Sequence, residues 1–200
     1  MARLRVGVVI SGRGSNLQAL IASCSAEAYP AEIALVISNQ TEAPGLGIAA
    51  ASGIPAVVIP HRDRRAFAAE AQPLLCERRV ELVCLAGFMR ILSADFVEQW
   101  VGRILNVHPS LLPELRGLRT HERALAERRS EHGCTVHHVL AELDAGPIVA
   151  QARVPILPGD NAETLAARVL AEEHRIYPEA LKAVANALRA TRVGTARNPG

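Results

Sequence analysis

No apolar run in these 200 residues approaches the roughly 20 that a membrane-spanning helix needs. The net charge of +2 is too small to support binding to nucleic acid or an anionic membrane. Basicity rests almost wholly on arginine, and Lys182 is the only lysine, a habit of composition rather than a binding signal. The four cysteines, Cys24, Cys76, Cys84 and Cys134, are widely spaced and form no C-x-x-C pair. Cys84 lies in the most hydrophobic strand candidate, where a reduced, buried thiol is expected. The opening "MARLRVGVVISGRG" has basic residues and an apolar stretch, but that stretch is too short for a signal peptide and runs into glycines. A cytoplasmic protein is therefore expected. Internal repeats, low-complexity linkers and a second domain are also missing, so residues 1–190 read as one domain and 191–200 as a flexible tail.

What is present is enough chain to bury a core, with half of its residues apolar. Short continuous apolar runs alternate with helical patterns in the first half: "LRVGVVI" (4–10), "EIALVIS" (32–38), "AVVIP" (56–60) and "LVCLAGF" (82–88). Strands that are apolar throughout and separated by helices indicate an α/β fold with a mostly parallel sheet and helices on both faces. The second half is less regular. It offers strands at "RILNV", "CTVHHV" (134–139) and "PIVAQARVPI" (147–156), with a long loop between the first two. A helical region then spans 161–190, capped by Asp160 or Asn161 and bent near Pro178.

Two stretches carry the chemistry. "SGRGSN" (11–16) joins a strand to a helix starting near Leu17, where free backbone N–H groups and the helix dipole favour an anion. A tight turn needing glycine, with Ser15 or Asn16 as a plain helix cap, explains the same residues equally well. A dinucleotide site fits worse, because Leu17 stands where a third glycine belongs and Ser38-Asn39-Gln40 offers no acid. The other stretch is "ILNVHPSLLPELRG" (104–117). Asn106 and His108 lie two apart on a strand and so project to one face, while Leu105 and Val107 face the other. Pro109 ends the strand, which leaves the imidazole at the carboxyl edge of the sheet. Asp144, before Ala145-Gly146-Pro147, is either a turn residue or a carboxylate that orients His108. His132, Cys134, His137 and His138 invite a zinc reading, but Cys134 and His137 face opposite ways on a strand and match no common ligand spacing. No metal is expected. His137 reads as a hydrogen-bonded structural or site-lining residue.

Taken in order, "SGRGSN", "LAGFMRIL" (85–92), "NVHPSLLP" (106–113), "HGCTVHHV" (132–139) and "ELDAGPI" (142–148) resemble the phosphoribosylglycinamide formyltransferase family. The likeness covers roughly residues 5 to 180 and implies a Rossmann-like formyltransferase fold. It also implies transfer of a formyl group from 10-formyltetrahydrofolate to the amine of glycinamide ribonucleotide in purine biosynthesis. Both partners are small molecules, with no nucleic acid or membrane involved and the protein a monomer or homodimer. Asn106 and His108 would then face the developing oxyanion, while Asp144 holds His108 and moves protons through water. Gly14, Ser15 and Asn16 would hold the ribonucleotide phosphate and Glu173 its ribose. Arg64, Met89, Arg90, Ile91, Leu92 and the stretch Leu140, Ala141, Glu142, Leu143 and Asp144 would line the folate site, together with Asn106. From its residues alone, "FMRIL" is only an apolar strand-to-helix junction.

Departures from the family pattern fall at Leu115-Arg116-Gly117, at Arg119-Thr120-His121 and at Leu170, where some relatives have a polar residue. Arg116-Gly117 is similar to methionyl-tRNA formyltransferase, whose extra domain and strongly basic surface are missing here. Formyltetrahydrofolate hydrolase is another relative, usually with a regulatory domain. A nucleotide-sensing module using the glycine loop alone would leave Asn106, His108 and Asp144 without a purpose.

Overall fold

The computed structural model describes residues 2–60 and 63–196, with side chains at the end of the last helix described as far as Arg192. Seven strands form one sheet: β1 (Leu4–Ile10), β2 (Ala31–Ser38), β3 (Ala56–Val58), β4 (Leu82–Leu85), β5 (Ile104–His108), β6 (Glu131–His138) and β7 (Ile148–Pro155). Their spatial order is β3-β2-β1-β4-β5-β6-β7. The first five are parallel to one another, and β6 and β7 run antiparallel to their neighbours. Among the described residues six helices accompany them: α1 (Ser15–Cys24), α2 (Pro44–Ala51), α3 (Arg64–Glu77), α4 (Ala94–Gln99), α5 (Thr120–Ala126) and α6 (Ala162–Ala196).

The sheet divides the core in two, as continuous apolar strands require. On one face, Val6, Val8 and Ile10 of β1, Leu105 and Val107 of β5, and Cys134 and Val136 of β6 pack with Leu17, Leu20, Val169 and Tyr177 of α1 and α6. On the other, Val9, Val83, Leu85 and Ile104 pack with Phe67, Ala71 and Leu75 of α3 and with Phe96, Val97 and Trp100 around α4. The polar side chains of β5, Asn106 and His108, lie on this second face beyond Ile104. Nothing apolar continues there, because the strand has reached the sheet edge.

The chain leaves β1 for β2 on one side and later inserts β4 on the other. The loops after β1 and β4 therefore diverge at a switch point, the place where open α/β sheets leave a crevice. They meet across it, with the backbone N–H of Met89 donating to Ser11 Oγ at 2.9 Å.

Several boundaries differ from those read in the sequence. The stretch 109–133 is not all loop, since Thr120–Ala126 forms α5, opened by Arg119 in a left-handed conformation and tied back by Thr120 Oγ1 donating to the Pro109 carbonyl. β4 stops at Leu85, short of Phe88, because the chain turns through Gly87 at φ 73°. α6 opens on Asn161, whose Oδ1 accepts from the N–H groups of Glu163 and Thr164 at 2.9 Å. The helix runs through Pro178 without interruption and on to Ala196, beyond the end at Ala190 expected from the sequence. The rest of the proposed tail, 197–200, lies outside the described residues.

Burial sets the acid response of this fold. His132 is 1% exposed on β6, with its Nε2 3.1 Å from His121 Nδ1. Desolvation, the nearby His121, Arg129 and His108, and too little return from the Pro109 carbonyl push it down to about 4. Burial also lowers His121, His137, His138 and His174. Each such ring binds a proton in the unfolded chain before it does in the folded one, so stability must fall as pH drops below the ordinary value of 6.5. The urea midpoint should hold steady from about pH 8 to 6.5 and then decline toward about pH 5, before most carboxylates titrate. His132→Gln should make that decline shallower. A midpoint that rises on acidification through this window would contradict the assignment.

Candidate active site

β5 delivers its polar pair to the edge as strand alternation dictates, and β6 lies against it antiparallel with Asn106 opposite His137 and His108 opposite Thr135. Asn106 Nδ2 lies 3.2 Å from His137 Nε2. The direction of that bond follows from the other ring nitrogen. His137 Nδ1 is 2.9 Å from the His138 carbonyl, which can only accept, so Nδ1 carries the proton. Burial, only partly offset by the His138 carbonyl and by Asp144, lowers this ring's pKa and keeps it neutral. Nε2 is then a bare acceptor, and Asn106 must turn its NH₂ toward it. One N–H serves His137, and the second has no partner among the described residues. Asp144 Oδ1 also comes within 3.7 Å of His137 Nε2, but against an unprotonated nitrogen this is a contact and not an ion pair.

His108 is fixed in a similar way. Its Nε2–H donates to the Leu115 carbonyl at 3.1 Å, and Nδ1 faces Asp144 Oδ2 at 3.5 Å. Both side chains are 7% exposed, so the contact is largely closed to water. Asp144 Oδ2 also accepts the Gly117 N–H at 2.9 Å. Asp144 itself sits at φ 50°, the left-handed conformation of a turn residue. Asp144 is thus a turn residue, and the turn brings its carboxylate within 3.5 Å of His108.

The glycine loop is the tight turn that the sequence offered as one of two readings. Gly14 caps α1 at φ 78° with no side-chain cap bond, so neither Ser15 nor Asn16 acts as the cap. A Cβ there would also come within 2.6 Å of Gly45 Cα, while the Gly45 N–H donates to the Gly12 carbonyl at 3.1 Å. Among the described residues no side chain accepts from the first N–H groups of α1, and helix starts of this kind can bind anions. Asn16 is drawn instead to Glu173, its Nδ2 donating to Oε2 at 2.7 Å across 157 positions of sequence. Burial raises the pKa of Glu173 against the lowering effect of Asn16. Asn16 Oδ1 is buried and has no partner among the described residues.

The remaining expected residues spread along the same edge. Met89 and Ile91 after β4 and Leu140 and Leu143 after β6 are exposed apolar side chains, with Met89 at 70%. Arg64, Arg90, Ala141 and Glu142 are exposed as well. Leu92 is not brought to the surface, since its side chain is buried in the α3–α4 core, leaving its backbone alone for a ligand. Cys134 and His137 do face opposite sides of β6, and among the described residues no group of three or more His, Cys, Asp or Glu could hold a metal ion.

Sequence reasoning passed over Gly45, and it quoted Ser11 and Leu115 without giving either a role. "APG" before an alanine-rich helix could have drawn attention to Gly45. Leu115 acts through its backbone carbonyl from a left-handed conformation at φ 52°, which no side-chain pattern announces. Arg116, noted as a departure, pairs with Glu142 at 2.7 Å and ties its loop to the 140–144 stretch.

Comparison with known proteins agrees with this geometry. The family described as formyl transferase matches residues 4–181. The chain is 52% identical over 189 residues to the trifunctional purine biosynthetic protein adenosine-3 of Drosophila pseudoobscura pseudoobscura, which covers 92% of this chain but only 14% of that protein's length. Against the phosphoribosylglycinamide formyltransferase of Escherichia coli the identity is 43% over 178 residues, covering 88% of this chain and 84% of the relative. The crystal structure of glycinamide ribonucleotide transformylase 1 from Symbiobacterium toebii superposes with a TM-score of 0.89 at 45% identity, covering 92% and 89% of the two chains. The chain belongs to the formyl transferase family.

Proposed function

We propose that this chain transfers the formyl group of 10-formyltetrahydrofolate to the amine of glycinamide ribonucleotide, a step of purine biosynthesis. The observation that carries the reading is the free N–H of Asn106, held in direction by His137 beside the His108–Asp144 pair, at the edge that also bears the uncapped start of α1.

The amine attacks the formyl carbon, a C–N bond forms and the carbonyl oxygen takes up negative charge. Asn106 donates its free N–H to that oxyanion, and His108, its two ring nitrogens turned to the Leu115 carbonyl and to Asp144, stands beside it on the same face of β5. Donors fixed in advance act at the moment charge develops, without reorganisation. Collapse of the intermediate breaks the bond to folate N10, which must gain a proton as the attacking nitrogen loses one. Asp144 stands beside His108 and moves that proton through water.

Met89, Ile91, Leu140 and Leu143 provide an apolar wall for the folate ring system, and Arg64 and Arg90 suit its carboxylates. Gly14, Ser15 and Asn16 receive the phosphate on the N–H groups of α1. Glu173 accepts from a ribose hydroxyl, and the buried Asn16 Oδ1 is a further acceptor nearby. Leu170, one turn before Glu173, leaves the phosphate to the backbone groups of the loop.

The direct test supplies purified protein with 10-formyltetrahydrofolate and three competing acceptors: glycinamide ribonucleotide, methionyl-tRNA and water. Formylated ribonucleotide should dominate. Formylmethionyl-tRNA or free formate as the main product would reassign the chain to one of the related activities. The phosphate site has its own test in Gly14→Asp, which places a side chain where a Cβ already meets Gly45 at 2.6 Å and adds charge where an anion is expected. Calorimetry should show ribonucleotide affinity weakened by about 100-fold or more, while folate binding persists and reports an intact fold. Wild-type affinity for both ligands would remove the phosphate role from this loop.

A further inference from the structure

α6 carries two buried polar side chains four residues apart and so on one face. Glu173 holds Asn16 of the glycine loop. Tyr177, fully buried, has its hydroxyl 3.1 Å from the Leu85 carbonyl and 3.1 Å from the Leu105 carbonyl. Leu85 is the last residue of β4, and Leu105 is the second of β5 and the one before Asn106. The Leu85 carbonyl belongs to the peptide leading into the segment 86–92, and the Leu105 carbonyl to the peptide leading into Asn106. Leu85 and Asn106 are themselves register partners across the two strands. A single O–H therefore spans the seam between the strand that leads to the apolar wall and the strand that delivers the oxyanion donor. Burial holds this phenol well above its ordinary pKa, so it remains a donor. A core position that needed volume alone would be served by phenylalanine without the cost of burying a hydroxyl.

We propose that Tyr177 is a positioning residue of the transfer reaction. Its hydroxyl holds the end of β4 and the Leu105–Asn106 peptide of β5 at the spacing where the Asn106 amide and the 86–92 segment face one bound substrate, and Glu173 links that spacing to the glycine loop. The inference rests on the function proposed above. It extends that function from the side chains at the edge to the helix beneath them.

A matched control exists against the same helix, since Tyr29, in the α1–β2 connection before the start of β2, donates its hydroxyl to the Pro178 carbonyl of α6 at 2.6 Å. Tyr177→Phe should lower kcat roughly tenfold or more with both KM values within about twofold, because small displacements at a reacting centre are costly while binding contacts stay in place. Tyr29→Phe should keep the wild-type kcat, whatever it does to thermal stability. Para-aminophenylalanine at position 177 restores a donor and should recover turnover. Para-fluorophenylalanine fills the hydroxyl's volume without a donor, keeps the helix packed and should repeat the loss.

A second readout needs no turnover: the side-chain amide resonances of Asn106 should move in the donor-less Tyr177 variants and stay in place in Tyr29→Phe. If wild-type protein transfers formyl and both donor-less variants match its kcat, or if Tyr29→Phe loses as much, Tyr177 is a core residue and the proposal is overturned. If wild-type protein does not transfer formyl yet the Asn106 resonances move as expected, the reaction assignment fails while the positioning stands.

Discussion

The site depends on the register between β5 and β6. That pairing sets Asn106 against His137 and His108 against Thr135, on the face of the sheet where Ile104 is the last apolar side chain. A slip of one residue would turn every one of these side chains to the opposite face and bring Leu105 and Val107 to the edge. With the register in place, a chain of donors and acceptors leaves little choice. The His138 carbonyl fixes the proton on His137, His137 fixes the amide of Asn106, and the Leu115 carbonyl fixes the ring of His108. Each link is partly or fully buried, where an unmade hydrogen bond costs on the order of 1–3 kcal/mol. That cost is what makes the geometry definite before a ligand arrives.

The same economy of position explains why residues so far apart in sequence act together. A parallel sheet gathers the carboxyl ends of its strands on one edge, and the switch between β1 and β4 opens a crevice there. The glycine loop enters from one side of that crevice and the apolar segment after β4 from the other. α6 passes beneath with Glu173 and Tyr177. Buried groups such as Glu173, Asp144 and His137 are poor choices for stability alone, since each gives up hydration for a few contacts. Their concentration at one edge marks where the fold has exchanged stability for a prepared polar surface.

Much of this was legible in the sequence. Continuous apolar runs gave the parallel strands, period-two projection put Asn106 and His108 on one face, and strand parity separated Cys134 from His137. Less could be read where the chain acts through its backbone. α5 was hidden because Arg119 starts it from a left-handed conformation and a contact with Pro109 sustains it, neither of which leaves a periodic trace. Leu115 contributes a carbonyl, and Gly45 contributes the absence of a side chain at a close approach, so neither residue type signals its role. The contact between Asp144 and His108 required the turn geometry, and that between Asn16 and Glu173 required the whole fold. Leu92 shows the reverse case, where an apolar residue next to exposed neighbours belongs to the core.

The claim that most needs testing is that His137 makes Asn106 present an N–H, not a carbonyl, to the reacting oxygen. Asn106→Asp changes one NH₂ to oxygen at nearly constant size and replaces the donor with an acceptor. Steady-state kinetics of formyl transfer should show kcat lower by about 100-fold to 1,000-fold, the range for loss of one oxyanion donor, with KM for both substrates nearly unchanged. Turnover of Asn106→Asp close to that of the wild type would contradict the account.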